Sequence, residues 1–157
     1  METSKENIFQ NGPYLTAAFL CERILEEKDG VKSAIRIHDK VVQTASGTNV
    51  PDIMPPIPAA PTLFLSLKNG HARGKHIIKV ALMKPDRSVA SEQTISVNLA
   101  GADNNGTELV AQLQVMLDQE GVYWFDIYYD DLRLTRIPWE VVCLIQTTGR
   151  SAPPPVM

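Results

Sequence analysis

The sequence predicts an all-β protein: a single eight-stranded antiparallel β-sandwich with Greek-key connections, of immunoglobulin-like or jelly-roll character. Turn-forming pairs such as Asp29-Gly30, Asn69-Gly70 and Asn105-Gly106 recur about every ten residues, the spacing that short antiparallel strands produce. Between these turns, apolar and polar residues alternate with the period of a β-strand. A chain of 157 residues with a net charge of −3 suits one domain with one core.

Composition excludes several classes of protein. Hydrophobic residues make up 44% of the chain and charged residues 21%, which excludes wholesale disorder. No apolar run approaches the ~18 residues of a membrane helix, and residues 1–7 lack the apolar core of a secretory signal. A slightly negative net charge creates no field that attracts nucleic acid. We therefore expect a soluble, cytoplasmic protein that binds neither membrane nor nucleic acid.

The N-terminal half contains four predicted strands. Ala17–Lys28 fits a helix as well as a strand, and we assign a strand because the Asp29-Gly30 turn favours a hairpin with Ile35–Val41. Thr62–Lys68 carries leucines at every second position. His76–Met83 likewise offers alternate apolar residues for a core face.

The C-terminal half contains the other four. Thr94–Leu99 alternates cleanly, whereas Thr107–Leu117 also fits a helix and is assigned as a strand from its neighbours. Val122–Tyr129 is the clearest strand, because it is dense in aromatic and β-branched residues. Leu132–Gln146 returns after a turn, and a change of apolar parity beside Pro138 predicts a bulge or a change of sheet.

Residues 44–61 are rich in proline and are predicted to form a long surface loop, because proline lacks the N–H group that a strand ladder needs. The alternative is a docking segment for a partner with an aromatic groove. We expect residues 1–13 to be an N-terminal extension and residues 150–157 a disordered tail, so that 14–149 form the β-sandwich domain.

Residues that could carry chemistry are few. Cys21 and Cys143 lie among apolar residues, and we expect two reduced, buried thiols. The histidines and cysteines show no metal-ligand spacing, so no metal or cofactor is expected. We assign no catalytic residue. A hydrolase that uses carboxylates drawn from Asp126, Asp130 and Glu140 is the weaker alternative.

The one basic stretch that contains glycine, residues 68–76, could in principle cradle an anion. A phosphate-binding loop needs a helix that begins directly behind it, and here a strand is predicted to follow. We therefore interpret this stretch as a solvated hairpin loop.

Trp124, Asp126 and Tyr128 are candidate contacts for a partner or ligand, because they share the strand face opposite the predicted core. An exposed aromatic face suits contact with protein or sugar; the alternative is a second buried face between two layers. We predict a non-enzymatic protein-interaction or assembly module that binds a protein partner or a second copy of itself. A β-sandwich that binds a small ligand or carbohydrate is the alternative.

Three pieces of the chain, taken together, resemble a known family. They are Leu20–Gly30 leading into Ile35–Asp39, Gly121–Phe125, and Leu134–Val141. This combination is similar to a family of small, uncharacterised bacterial all-β proteins known only as a domain of unknown function, over residues 17–145. The resemblance implies a β-sandwich and brings no activity and no catalytic residues.

A second, partial resemblance concerns architecture alone. Asp118–Phe125 resembles the tyrosine corner of immunoglobulin-like sandwiches, where a tyrosine that follows a turn glycine hydrogen-bonds back across a strand crossover. Tyr123 takes that place after Gly121. We expect Tyr123, Gly121 and the turn residue Gly30 to have structural roles.

Overall fold

The computed structural model describes residues 10–46 and 54–146, and the elements within these residues are eleven β-strands. The predicted tail and most of the predicted N-terminal extension lie outside the described residues. The strands are β1 (Tyr14–Glu26), β2 (Lys32–Ile37), β3 (Lys40–Ser46), β4 (Ile57–Ala59), β5 (Thr62–Lys68), β6 (Gly74–Met83), β7 (Val89–Leu99), β8 (Gly106–Gln112), β9 (Val115–Leu117), β10 (Gly121–Tyr129) and β11 (Leu132–Gln146).

The strands form two larger sheets and a small one. Four strands pair in the order β2-β1-β5-β8, five in the order β3-β11-β10-β6-β7, and β4 pairs with β9. The all-β class is confirmed, but a purely antiparallel arrangement was wrong, because β3 runs parallel to β11. The chain enters β3 from β2, which belongs to the other sheet, and no hairpin joins β3 to β11. The connection therefore does not force these two strands to be antiparallel.

The expected number of eight strands was wrong, in part because the predicted strand Ile35–Val41 is divided between the two sheets. The amide of His38 donates to the carbonyl of Leu20 in the four-stranded sheet, at 3.0 Å. The carbonyl of Asp39 accepts from the amide of Glu140 in the five-stranded sheet, at 2.9 Å. These two residues carry the chain from β2 to β3.

The predicted strand Thr107–Leu117 is divided in the same way. β8 pairs with β5 as far as Gln112, the amide of Leu113 then donates to the carbonyl of Pro61 at 2.8 Å, and β9 pairs with β4. The buried side chains keep the same alternation across the break. This is why the sequence shows one long strand where the structure has two.

The interpretation of residues 44–61 as a loop was wrong for part of the segment. Its described part contains β4, and Pro61 is buried. Pro58 lies within β4, where it is tolerated because β4 has a neighbour on one side only, so one edge of the strand needs no donor. Residues 47–53 lie outside the described residues.

Two local expectations are confirmed. Ala17–Lys28 is strand from its start to Glu26 and is closed by the Asp29-Gly30 hairpin, where Gly30 has a φ of +84°. The parity change in β11 is a bulge: Ile127 lies opposite Thr135, and the next pair skips Leu134.

The sheets are curled into a half-barrel. Lys32 on β2 forms an ion pair with Glu108 on β8, so the two edge strands of the four-stranded sheet meet through their side chains. β5 lies between β1 and β8 in this sheet, and both of its faces are buried.

One hydrophobic core joins the two larger sheets. The ring of Trp139 packs against Phe125 with centroids 5.5 Å apart, and leucines from β5 meet this pair from the other sheet. The largest of the fully buried side chains are those of Leu20, Leu63, Leu65, Leu67, Ile78, Leu82, Leu99, Leu113, Leu117, Tyr123, Phe125 and Trp139. No helix among the described residues has the length and apolar character needed to cross a membrane.

Candidate functional site

β10 is the middle strand of the five-stranded sheet, and its two faces have different environments. Phe125 and Ile127 lie in the core. Trp124, Asp126 and Tyr128 lie on the opposite, outer face, as strand alternation requires.

A buried carboxylate occupies the centre of this outer face. Asp126 is only 4% exposed, and its Oδ1 accepts a hydrogen bond from Nε of Arg136 at 2.7 Å. The two residues lie directly opposite each other on β10 and β11. Because a buried, unpaired carboxylate costs several kcal/mol, the pairing with Arg136 is what makes Asp126 tolerable there.

The flanking strands also place cations over both aromatic rings. Cζ of Arg136 lies 4.7 Å from the ring centroid of Trp124, and Nζ of Lys79 on β6 lies 4.5 Å from that of Tyr128. Both contacts have cation–π geometry. We call these five residues the aromatic patch: Trp124, Asp126, Tyr128, Arg136 and Lys79.

The exposure of the aromatic patch differs from both alternatives that the sequence left open. Trp124 and Tyr128 are half-buried. Arg136 and Lys79 cover their rings, whereas the second alternative required another layer of the protein to bury them. Two apolar neighbours on β10 and β6, Val122 and Ile77, are 40% and 43% exposed. The face is therefore an accessible surface whose central side chains are already held in place.

The three carboxylates considered for a hydrolase are not brought together. Asp126 pairs with Arg136, Asp130 with His76 at 2.9 Å, and Glu140 with Lys40 at 3.6 Å. At a strand rise of about 3.3 Å per residue, Asp130 lies roughly 13 Å from Asp126 along the sheet, and Glu140 a similar distance in the other direction. Both separations exceed the ~5–10 Å of a glycosidase carboxylate pair.

His76 and Asp130 form a contact that sequence reasoning missed. Nδ1 of His76 lies 2.9 Å from Oδ2 of Asp130, and Nε2 lies 2.9 Å from the carbonyl oxygen of Arg73. Burial acts to lower the pKa of His76, but the hydrogen bonds to Asp130 and Arg73 outweigh it and the pKa is raised. Because both ring nitrogens are occupied, this imidazole has none free to act as a general base.

Asp130 is held from a second side as well. It has a φ of +48° at the β10–β11 turn, and its Oδ1 accepts from the amide of Ile77 at 3.0 Å. Burial acts to raise the pKa of Asp130, but the bonds to His76 and Ile77 outweigh it and the pKa is lowered. His76 and Asp130 are 54 residues apart and meet because β6 pairs with β10, so no local motif marks the pair.

The basic stretch 68–76 is a crossover between sheets, and its interpretation as a hairpin loop was wrong, because β5 and β6 belong to different sheets. Asn69 is buried and donates from Nδ2 to the carbonyl of Ala100 at 2.6 Å. Nη2 of Arg73 donates to Oδ1 of Asp103 at 2.8 Å. Arg73, one of the three lysine and arginine side chains of this stretch, is thus already bound to a carboxylate of the protein.

Both cysteines are free thiols. Burial raises the pKa of Cys21, which keeps the thiol protonated and unreactive. The expectation of two buried thiols was wrong for Cys143, which is partly exposed near the end of β11. Within residues 10–46 and 54–146, no group of three or more His, Cys, Asp or Glu side chains is placed to hold a metal ion.

The hydroxyl of Tyr123 closes the turn before β10. It accepts from the amides of Asp118 and Gln119, each at 3.1 Å, while the ring is fully buried. This is the type of bond to upstream backbone that the tyrosine-corner resemblance implies. Gly121 has a φ of +124°, and a Cβ there would lie 3.0 Å from Cβ of Pro85, so the turn requires glycine.

Comparison with known proteins gives a family and no activity. No curated protein matches the chain. The model of a family of unknown function, DUF6941, matches residues 16–142, a range that includes the whole aromatic patch and the His76–Asp130 pair. The implied membership of an uncharacterised all-β family is confirmed: the chain belongs to the DUF6941 family.

Proposed function

We propose that this protein is a non-enzymatic protein-interaction module and that the aromatic patch is its contact surface. The observation that carries the proposal is the combination of Trp124, Tyr128 and Arg136 on one accessible face of two central strands. Tryptophan, tyrosine and arginine are the residue types most enriched in interface hot spots.

The aromatic patch is organised before any partner binds. Arg136 is held by the carboxylate of Asp126 and by the ring of Trp124, while Lys79 is held over Tyr128. Side chains that are already ordered lose little conformational entropy on association, which favours tight binding by a small surface.

The charge of the aromatic patch indicates the chemistry of the partner. The one carboxylate, Asp126, is buried, whereas the side chain of Arg136 is 39% exposed and Lys79 is also partly exposed. The accessible charges are therefore positive. A partner surface with carboxylates around an apolar centre complements them.

The alternative, a sugar or small-ligand platform, has weaker support. Stacking of a sugar requires an open aromatic face, and each ring already has a cation within 5 Å of its centroid: 4.7 Å at Trp124 and 4.5 Å at Tyr128. The hydrolase alternative lacks converging carboxylates, as described above.

We also propose a bacterial, cytoplasmic setting for the protein. Support comes from the free thiols of Cys21 and Cys143, which fit a reducing compartment. An immunoglobulin-like or jelly-roll Greek key stays a prediction for the architecture, and the hydroxyl bonds of Tyr123 support its immunoglobulin-like form.

The proposal is tested by quantitative affinity capture from cells that express tagged full-length protein. Trp124→Ala and Tyr128→Ala should each lose a partner that the unaltered protein retains. Tyr14→Ala is the matched control, because Tyr14 is an exposed tyrosine on β1 in the other sheet. If all three variants retain the same partners, the aromatic patch is not the contact surface.

A parallel thermal-shift screen with glycans and metabolites tests the alternative. A ligand that raises the melting temperature of the unaltered protein but not of Trp124→Ala would favour the small-ligand platform over the protein-interaction module.

A further inference from the structure

We propose that Asn105 is a site of slow, spontaneous deamidation, because the fold leaves one Asn-Gly pair open to ring closure and protects two others. The described residues contain three such pairs: Asn11-Gly12, Asn69-Gly70 and Asn105-Gly106. Glycine after asparagine favours the reaction, since it has no Cβ to shield the backbone nitrogen that attacks. The inference does not depend on the function of the aromatic patch.

The reaction consumes one water molecule and releases one ammonia. The backbone nitrogen of Gly106 loses its proton and attacks Cγ of Asn105, so that a bond forms between these two atoms. The bond from Cγ to Nδ2 breaks, and the amino group takes up one proton and leaves as ammonia. Water then opens the five-membered succinimide ring. Addition of water at Cγ yields aspartate at position 105, and addition at the main-chain carbonyl carbon yields isoaspartate.

The register of β8 leaves the attacking amide free. The amide of Asn69 donates to the carbonyl of Asn105 at 2.7 Å. Beyond the other end of β8, the amide of Leu113 donates to the carbonyl of Pro61 at 2.8 Å. The hydrogen-bonded pairs of this ladder therefore lie at odd-numbered residues, and Gly106 belongs to a non-hydrogen-bonded pair. Its N–H points away from β5, and among the described residues no strand pairs with that edge of β8.

The carboxamide of Asn105 is also accessible. Asn105 and Gly106 are both exposed, and the Asn105 side chain forms no hydrogen bond with the described residues. Its Nδ2 lies against Gly101, which has no side chain to cover it. A Cβ at Gly106 would collide with the carbonyl oxygen of Leu67. The close approach of β5 therefore requires the glycine that makes the pair reactive.

Asn69-Gly70 lacks both properties. Asn69 is 1% exposed, and its Nδ2 donates to the carbonyls of Ala100 and Ala102 at 2.6 and 3.3 Å. The amide of Gly70 donates to the carbonyl of Asp103 at 2.8 Å. Ring closure at Asn69 would break these three bonds in a buried position, which is costly.

Asn11-Gly12 is packed against the same turn. Asn11 is partly buried, and its carbonyl accepts from the amide of His71 at 2.6 Å. A Cβ at Gly12 would lie only 3.0 Å from Cα of Gly70, so the two backbones are in contact. This contact restricts the rotation that ring closure at Asn11 requires.

Conversion at Asn105 should weaken the end of β8. The main-chain carbonyl of Asn105 becomes part of the ring, and it accepts the last hydrogen bond of the β5–β8 ladder, from Asn69. Bonds at the end of an edge strand open readily, so this one is a small obstacle to ring closure. In the isoaspartate product the main chain passes through Cγ, which adds a backbone atom and displaces the acceptor of the Asn69 amide.

Peptide mapping by mass spectrometry tests the proposal on full-length protein that is incubated for days at mildly alkaline pH. We expect aspartate and isoaspartate at position 105 to form at least about tenfold faster than at Asn69 or Asn11, because the backbone at those two sites must first open. Equal rates at the three sites, faster conversion at Asn69 or Asn11, or an unchanged Asn105 would overturn the proposal.

The same measurement in denaturant separates the effect of the fold from that of the local sequence. All three Asn-Gly pairs should then convert at similar rates, since the hydrogen bonds that protect Asn69 and Asn11 are lost. If Asn105 keeps its full preference in the unfolded chain, the fold does not select the site, and the proposal is wrong.

Two variants provide matched controls. Asn105→Gln should remove the conversion, because the longer side chain must close a less favourable six-membered ring. Asn104→Gln makes the same change one residue earlier and should leave conversion at Asn105 intact. Asn104 is exposed but should not itself convert, since the amide that follows it donates to the carbonyl of Ala102 at 3.0 Å. Loss of conversion in both variants, or conversion at Asn104, would contradict the proposed selection by a free amide.

Hydrogen exchange measures the consequence for β8. The amide of Asn69 should exchange faster in the converted protein than in fresh protein, while amides in the middle of β5 should not change. Unchanged exchange at Asn69 would overturn the expected weakening of this end of the sheet.

Discussion

At the scale of single residues, the outer face of the five-stranded sheet depends on one buried acid. Asp126 fixes the guanidinium of Arg136, and that guanidinium in turn covers the ring of Trp124. The three side chains therefore act as a unit, and removal of the cation leaves the carboxylate buried without its partner.

We predict that Arg136→Met lowers the free energy of unfolding by about 1–3 kcal/mol, a range that allows for the partial exposure of Arg136. Arg133→Met is the control: Arg133 is an exposed arginine on the same strand and forms no ion pair with the described carboxylates. Its effect should stay within about 0.5 kcal/mol. Urea unfolding measures both, and equal stability of the two variants would contradict this role for Asp126.

The His76–Asp130 pair makes stability depend on pH. The pKa of His76 is raised above that of the unfolded chain, so the protonated imidazole stabilises the fold fully below about pH 6.5. This contribution is lost as the pH rises through the pKa of folded His76. The pKa of Asp130 is lowered, so its own contribution is present above about pH 4 and is lost in more acidic solution.

We therefore expect the unaltered protein to exceed His76→Gln in unfolding free energy by about 0.5–1 kcal/mol at pH 5.5, a modest value because Asp130 is half-exposed. The difference should shrink towards pH 9. Chemical unfolding at both pH values measures it, and a difference that grows with pH would show that the pair does not act through the protonated imidazole.

At the scale of elements, the connections between sheets determine the strand boundaries. The hydroxyl of Tyr123 is the clearest case, since it satisfies two backbone amides in the β9–β10 connection from inside the core. Without the hydroxyl, these amides lose their acceptor in a partly buried position.

Tyr123→Phe should lower the free energy of unfolding by about 1–2 kcal/mol, because the two donors become unsatisfied. Tyr128→Phe removes a hydroxyl that forms no hydrogen bond with the described residues and should change stability by less than about 0.5 kcal/mol. Thermal and urea unfolding compare the two variants. A larger loss for Tyr128→Phe would contradict the structural role of Tyr123.

At the scale of the whole molecule, one core serves both larger sheets. Leu65 comes from the four-stranded sheet, and Phe125 and Trp139 from the five-stranded sheet, yet all three belong to one buried cluster. The sheets should therefore unfold together.

We expect Leu65→Ala to lower the unfolding free energy by about 2–5 kcal/mol, the usual range for a large cavity in a core. In a Trp124→Phe background, Trp139 is the remaining tryptophan. It reports on the five-stranded sheet, whereas Leu65 lies in the four-stranded sheet. The fluorescence of Trp139 and the far-ultraviolet circular dichroism should give the same transition midpoint, and both should shift together in Leu65→Ala. Two separate midpoints would show that the sheets unfold independently.

The sequence determined the properties that depend on local alternation. Strand character, the faces of β10, the hairpin at Asp29-Gly30 and the bulge in β11 all follow from side-chain periodicity and turn chemistry, which neighbouring residues specify. This is why the ambiguous segment 17–28 was assigned correctly from the turn that follows it.

Only the tertiary structure decided which strands pair. The division of Ile35–Val41 and of Thr107–Leu117, the parallel contact of β3 with β11, and the His76–Asp130 pair all depend on which sheet each segment joins. In Thr107–Leu117 the alternation of buried side chains continues across the break, so periodicity carries no record of that change of sheet. The cations over Trp124 and Tyr128 likewise come from neighbouring strands and are set by register, which is a long-range property.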